Sequence, residues 1–301
     1  MSEIKQIRPG DSNQITRDYL DSLLIETRYM NSALPDTTLR LYGEVFATPI
    51  MTAAFSHLDY IYDDGRRGMA EMAKGAFAAN AVMWAGMGDE AEMSAMTETG
   101  ARVIKIIKPY ADSEMIFRQI KAAEQCGVLA VGMDIDHSFN SSGGYDKVHE
   151  DEMRPQTTKM LKSYVDSTDL PFVAKGVLSL HDAQSCIDAG VRGIVVSHHH
   201  GISDFAIPPL KILPDIVKLV DGAFPVFVDC GIERGFDAFK ALALGATAVC
   251  VSRDIINDLV CDGHPGVTAR IEGMNRELAG IMARTCSPSV TQIDSDIIWQ
   301  K

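Results

Sequence analysis

A lysine interrupts an apolar run at Val173-Ala-Lys175-Gly176. A lone ammonium is costly to bury unless an anion meets it. A carboxylate inside the protein would meet that need; a bound anionic cofactor is the sharper reading. Other polar residues end apolar runs in the same way: Lys105, Asp134, Asp136, Ser197, His198, His199, His200, Asp229, Ser252 and Arg253. The segment Asp229-Cys-Gly-Ile-Glu-Arg-Gly235 sets two glycines around a turn. A guanidinium at Arg253 suits a bidentate grip on phosphate. Along an extended His198-His199-His200, neighbours point to opposite sides, so only His198 and His200 share a side on which to hold an ion. No third ligand at tetrahedral spacing is evident, so no metal is expected. One imidazole acting as a general base is the favoured reading of the trio, because imidazole titrates near neutral pH.

Eight short apolar runs must position these groups: Pro49–Ala54, Ala81–Gly86, Val103–Ile107, Val128–Asp136, Pro171–Gly176, Gly193–His198, Pro225–Cys230 and Ala246–Ser252. They are apolar throughout rather than alternating, which fits strands buried on both faces of a parallel sheet. Helical patterns lie between them, at Gly68–Ala79, Asp112–Cys126, Leu180–Ala189, Gly235–Leu244 and Gly266–Ala283. Gly127, Gly190 and Gly245 stand where a left-handed residue stops a helix. Eight such units with no second composition regime predict an α/β chain folded as one (β/α)8 TIM barrel over residues 1–301, in preference to an open doubly wound sheet. Residues 1–48 form an N-terminal cap, and 137–156 form a polar insertion after the fourth strand. Chemistry in such a barrel sits at the carboxyl ends of the strands, with phosphate held after the seventh and eighth.

The whole chain agrees with that reading. Its 301 residues are 46% apolar and 23% charged, enough for a large core. A net charge of −13 repels phosphate backbones and anionic lipid, so neither nucleic acid nor a membrane surface is an expected partner. The six cysteines form no CxxC pair and read as buried, reduced thiols. Met1–Gly10 lacks the apolar stretch of a signal peptide, and no run reaches the ~18 apolar residues of a membrane span. A soluble cytoplasmic protein is expected.

Four segments carry a resemblance: Val173-Ala-Lys-Gly-Val, Val195-Val-Ser-His-His-His-Gly, Phe227-Val-Asp-Cys-Gly-Ile-Glu-Arg-Gly and Asp237-Ala-Phe-Lys-Ala-Leu-Ala-Leu-Gly245. Together they resemble the FMN-dependent 2-hydroxy-acid oxidase/dehydrogenase family, over roughly residues 30–290. The resemblance implies an FMN cofactor. Ala53, Ala54 and Phe55 would lie against the flavin, with Gly86, Lys105 and Asp134 also on the cofactor. Lys175 would face the flavin edge where negative charge develops on reduction, and Ser197 would touch FMN. Asp229, Gly231, Arg234, Ser252 and Arg253 would hold ribityl and phosphate groups. His199 matches the family's base, and Asp136 the carboxylate that stabilises its imidazolium.

Departures from the family bear on the substrate. The carboxylate-binding arginine of the family motif falls on Ile202, no arginine aligns in the loop after His137, and a family tyrosine falls on Ile107. The family's N-terminal tyrosine segment has no expected counterpart. Lys105 stands for a glutamine, Asp134 for a threonine and Glu233 for a phosphate-binding arginine. Losing a buried bidentate arginine costs ~2–4 kcal/mol, so an unmodified 2-hydroxy acid is expected to bind poorly unless Lys105, Lys108 or Arg154 supplies a new anion contact. The leading expectation is oxidation of a small hydroxylated molecule by His-assisted hydride transfer to flavin, with oxygen or another electron acceptor. A flavin-dependent isomerase or lyase and a non-catalytic flavin-binding protein are the alternatives. The family's habit implies a homo-oligomer, a tetramer or octamer.

Overall fold

The computed structural model describes residues 8–300; most of the polar stretch Met1–Gly10 lies outside them. Eight strands follow the eight apolar runs: β1 Ile50–Met51, β2 Met83–Ala85, β3 Val103–Ile107, β4 Ala130–Asp134, β5 Phe172–Val177, β6 Gly193–Val196, β7 Val226–Val228 and β8 Ala248–Cys250. They form one parallel sheet in the order β1-β8-β7-β6-β5-β4-β3-β2. A parallel bridge between Phe55 and Ala85 brings the two edges together, closing the (β/α)8 barrel. Closure removes the exposed edges, and the strands are buried throughout.

Side chains alternate across each strand. Met51, Trp84, Ile104, Ile106, Ala130, Val173, Val195, Phe227 and Ala248 fill the barrel interior. Trp84 and Phe227 meet edge to face at 5.2 Å within it. The intervening residues, such as Val103, Val131, Ile194 and Val249, pack against the surrounding helices. These helices are α1 Gly68–Ala78, α2 Glu90–Thr97, α3 Ser113–Gln125, α4 Thr158–Val165, α5 Leu180–Ala189, α6 Pro209–Val220, α7 Gly235–Ala243 and α8 His264–Ala283. A short extra helix, Asp254–Asp262, follows β8.

A hairpin, Leu39–Leu41 with Glu44–Phe46, turns through Tyr42 and Gly43, both with positive φ, as a tight two-residue turn requires. Its Leu39, Leu41 and Phe46 join the interior cluster, and Tyr42 donates to the Arg192 carbonyl beside the start of β6. The hairpin thus plugs the amino end of the barrel and leaves the carboxyl end for chemistry. The predicted insertion 137–156 holds a small hairpin, and Tyr145 is stacked there between Phe139 and Arg154.

An N-terminal helix, Ser12–Ser22, capped by the Asp11 side chain, lies at the carboxyl end of the barrel. Its Thr16 meets His198, Arg17 grips Asp237 through two hydrogen bonds, and the Leu20 carbonyl accepts from Lys240. The expected cap thus stands at the mouth, and among the described residues no tyrosine lines the cavity there. The C-terminal Ile298–Gln300 pairs antiparallel with Leu23–Ile25 behind it. All six thiols are unpaired; Cys186 and Cys250 are buried, but Cys261 is exposed. Among the described residues, no helix is long and apolar enough to cross a membrane.

Candidate active site

The alternation that packs the interior also decides which polar groups face the barrel axis. Asp134 ends β4 on the inward side, two residues beyond Gly132, and Lys175 sits inward on β5 in register with it. Lys175 Nζ lies 2.9 Å from Asp134 Oδ1, and Lys108 Nζ, just beyond β3, lies 2.8 Å from Oδ2. Asp229 Oδ2 approaches Lys175 at 3.8 Å from β7. Burial lowers the pKa of Lys175, but the carboxylates of Asp134, Asp229 and Asp136 outweigh it and raise its pKa. Burial likewise opposes a charge on Asp134, but Lys175, His199 and Lys108 hold it well below the usual carboxylate range. Two lysines thus bracket one buried carboxylate.

His199 is aimed by a turn, not an extended strand. His199 and His200 both have positive φ, which corrects the extended reading of the trio. Such conformations cost energy and persist where the surroundings impose them. The imposing contact is local: Ser197 Oγ accepts from the His199 amide at 2.9 Å. His199 Nδ1 then lies 3.0 Å from Asp136 Oδ1 and 3.8 Å from Asp134 Oδ1. Gly176 makes room for that carboxylate, since a Cβ there would meet Asp136 Cγ at 2.2 Å. His198 is structural. Its Nδ1 accepts from the Gly201 amide and its Nε2 meets Thr16, while burial lowers its pKa. Asp134, Asp136 and His199 lie close enough to meet one ion, yet both oxygens of Asp134 already accept from ammonium groups.

His137, on the loop after β4, brings its ring to 5.4 Å from that of His199. Burial, then Lys108 and His199, lower its pKa. Asp136 Oδ2, His137 Nδ1 and Ser138 Oγ are buried without a hydrogen-bond partner. His137 Nδ1 comes within 3.4 Å of Asp146, but not in hydrogen-bonding alignment. Buried polar atoms are normally satisfied, so these three stand out in the loop after β4.

Beside this cluster opens a cavity of about 410 Å³, the size of a small-molecule site. Ala53, Ala54 and Phe55 form one wall, and Lys175 and His199 the inner end. Asp229, Gly231, Ser252 and Arg253 line the outer end, at the start of the helix Asp254–Asp262. The amides of Gly231 and Arg253 donate to no described group, which suits a phosphate at a helix start. Glu233 and Asp254 share this rim and oppose an anion; burial and Asp254 raise the pKa of Glu233.

Several expected contacts lie elsewhere. Lys105 faces the helix layer, because Ile104 and Ile106 take the inward positions of β3. Its Nζ donates to the Gly86 and Gly88 carbonyls, and burial lowers its pKa to about 8. Gly86 serves close packing, since a Cβ would meet Ser56 Oγ at 2.3 Å. Arg234 turns outward to Glu277, and Arg154 binds Glu152 and covers Tyr145. Ser197 is buried beneath His199, and Asp134 serves the lysines rather than lining the cavity. The sequence reading missed Asn13, which lines the cavity and donates to the His200 carbonyl. Its signal was the Asp11 cap followed by Thr16 and Leu20 at helical spacing.

Comparison with known proteins places the chain among flavin enzymes. The profile of the FMN-dependent dehydrogenase family matches residues 9–164 and 140–300. A peroxisomal (S)-2-hydroxyacid oxidase of Arabidopsis thaliana is 28% identical over 292 residues, covering 86% of this chain and 79% of the relative. A 4-hydroxymandelate oxidase of Amycolatopsis orientalis is 41% identical over 140 residues, covering 46% of this chain and 39% of the relative. The structure of a mandelate oxidase variant with (S)-mandelic acid superposes with a TM-score of 0.85 at 26% identity, covering 97% of this chain and 90% of that one.

Proposed function

The chain belongs to the FMN-dependent dehydrogenase family and is an FMN-dependent oxidoreductase; from that premise we propose that it oxidises a small hydroxylated substrate of the 2-hydroxy-acid kind. The observation that carries the reading is the 3.0 Å contact between His199 Nδ1 and Asp136 Oδ1 at the inner end of a cavity with a buried lysine. The donor set fits FMN: Lys175 for an electron-rich ring edge, and Arg253 with the Gly231 and Arg253 amides for a phosphate. FMN, when bound, supplies the two-electron acceptor.

The residues divide the remaining work. Asp136 accepts from Nδ1 of His199, which leaves Nε2 as the base; this tautomer follows from the hydrogen bonds. Nε2 takes the proton of the substrate hydroxyl, and Asp136 stabilises the resulting imidazolium. Lys175 places a fixed positive charge where the ring gains electrons. Ala53, Ala54 and Phe55 cover one wall and exclude water from it. Of the three cations weighed for a substrate anion, Lys105 faces outward and Arg154 is engaged at the surface. Lys108 is held by Asp134, and none of the three lines the cavity. The relatives are named for 2-hydroxy-acid, 4-hydroxymandelate and mandelate oxidation, which supports the class. Six unpaired thiols support a reducing, cytoplasmic setting, and the family resemblance supports a homo-oligomer.

Electron stoichiometry tests the reading. Turnover of a 2-hydroxy acid should consume one two-electron acceptor per carbonyl product. Product formed without acceptor consumption would replace oxidation with isomerisation or lysis.

A further inference from the structure

A buried carboxylate between two lysines has a consequence for the cofactor. Lys175 alone would present a full positive charge to the cavity. Asp134 Oδ1 sits 2.9 Å from it on the neighbouring strand, and the same oxygen lies 3.8 Å from His199 Nδ1. Its other oxygen is held by Lys108 at 2.8 Å. All three side chains of the Lys108–Asp134–Lys175 row are buried, so solvent screens their charges weakly. The row is also fixed by strand register, since Asp134 and Lys175 are direct partners across β4 and β5.

We propose that Asp134 is a positioning residue that sets the electron affinity of the bound flavin: it fixes Lys175 and offsets its charge, while Lys108 sets how completely it does so. The inference rests on the reading of Lys175 as the cation at the flavin ring. It makes a prediction about sign. Removing the carboxylate charge makes the flavin a stronger electron acceptor. Removing Lys108 leaves Asp134 more fully committed to Lys175 and makes the flavin a weaker one. Disruption of packing alone would move both variants the same way.

Sulfite is a suitable probe for FMN-loaded protein, because it adds reversibly to oxidised flavin and leaves negative charge on the ring. Asp134→Asn keeps the shape and should tighten sulfite binding at least tenfold. The midpoint potential should rise in parallel, by ~30 mV for a two-electron couple per tenfold. Lys108→Met should weaken sulfite binding at least threefold. A change below twofold in Asp134→Asn, or a shift of both variants in one direction, overturns the proposal. If Asp134→Asn does not retain FMN, Lys108→Met decides alone: weakened sulfite binding supports the proposal, and unchanged or tighter binding overturns it. Sulfite needs no substrate, so these outcomes are separate from the hydroxy-acid reading. A chain that follows the sulfite pattern but oxidises no hydroxy acid refutes only that reading.

Discussion

At the inner end of the cavity, Lys175, Lys108, Asp134, Asp136 and His199 each meet a partner within 3.0 Å. At the outer end Arg253 is exposed, and it shares the rim with Glu233 and Asp254. The inner groups are fixed by strand register and a tight turn. The outer ones lean on backbone amides and one guanidinium. Catalysis needs reacting groups held to fractions of an ångström, whereas a phosphate tolerates a looser grip from several weak donors. The difference teaches that chemistry and cofactor retention are separable here, and substitutions at one end should spare the other.

The largest effect should come from the inner end. His199→Ala should slow substrate-driven flavin reduction by roughly 10³-fold, within the range of general-base catalysis, and change FMN affinity by less than about threefold. Stopped-flow absorbance measures the first and flavin fluorescence the second; loss of FMN in this variant would break the separation.

Lys105 belongs to neither end, and Lys105→Met should leave FMN binding and flavin reduction in place. It should instead reveal a pH-dependent stability difference. Burial lowers the pKa of Lys105 in the folded chain from 10.5 to about 8. Below about pH 8 the ammonium is protonated in both states, and its burial cost is fully present. Between about 8 and 10.5 the unfolded chain holds more protons, so wild type gains stability relative to the variant as pH rises. The gain is about 3 kcal/mol, measurable by denaturant unfolding across that range. A flat difference would contradict the outward placement of Lys105 in an apolar layer.

Arg253→Ala should weaken FMN binding by ~1.5–3 kcal/mol, the usual worth of a charged hydrogen bond, while flavin reduction at saturating FMN stays near wild type. The smallest effect is expected at Glu233. Glu233→Gln should tighten FMN two- to fivefold, the scale of a partly exposed charge contact. Weaker FMN in that variant would show that the rim does not oppose the phosphate.

The barrel was legible because its eight runs are apolar on both faces, and the site because polar residues end those runs. Lys175, Asp229 and Arg253 line the cavity, as the strand ends imply, and Asp136 meets His199, as the family resemblance implies. What was lost is direction. Lys105 was matched by sequence position, but β3 alternates so that Ile104 and Ile106 point inward and Lys105 does not. His198 looked equivalent to His199 until two left-handed residues turned the chain and left His198 on Thr16. Arg234 sits beside the phosphate-site glycine in sequence, but Glu277 of α8 draws it away. Asn13 reaches the cavity through tertiary packing of the N-terminal helix; the Asp11 cap with Thr16 and Leu20 marks that helix but not where it docks.

The central claim is that this cavity passes electrons from a 2-hydroxy acid to FMN under His199. Anaerobic titration of the FMN-loaded protein with glycolate, lactate and mandelate tests it most directly. At least one of them should bleach the oxidised flavin band, with the carbonyl product formed in equal amount. A band unchanged by all three, yet fully bleached by dithionite, would contradict it.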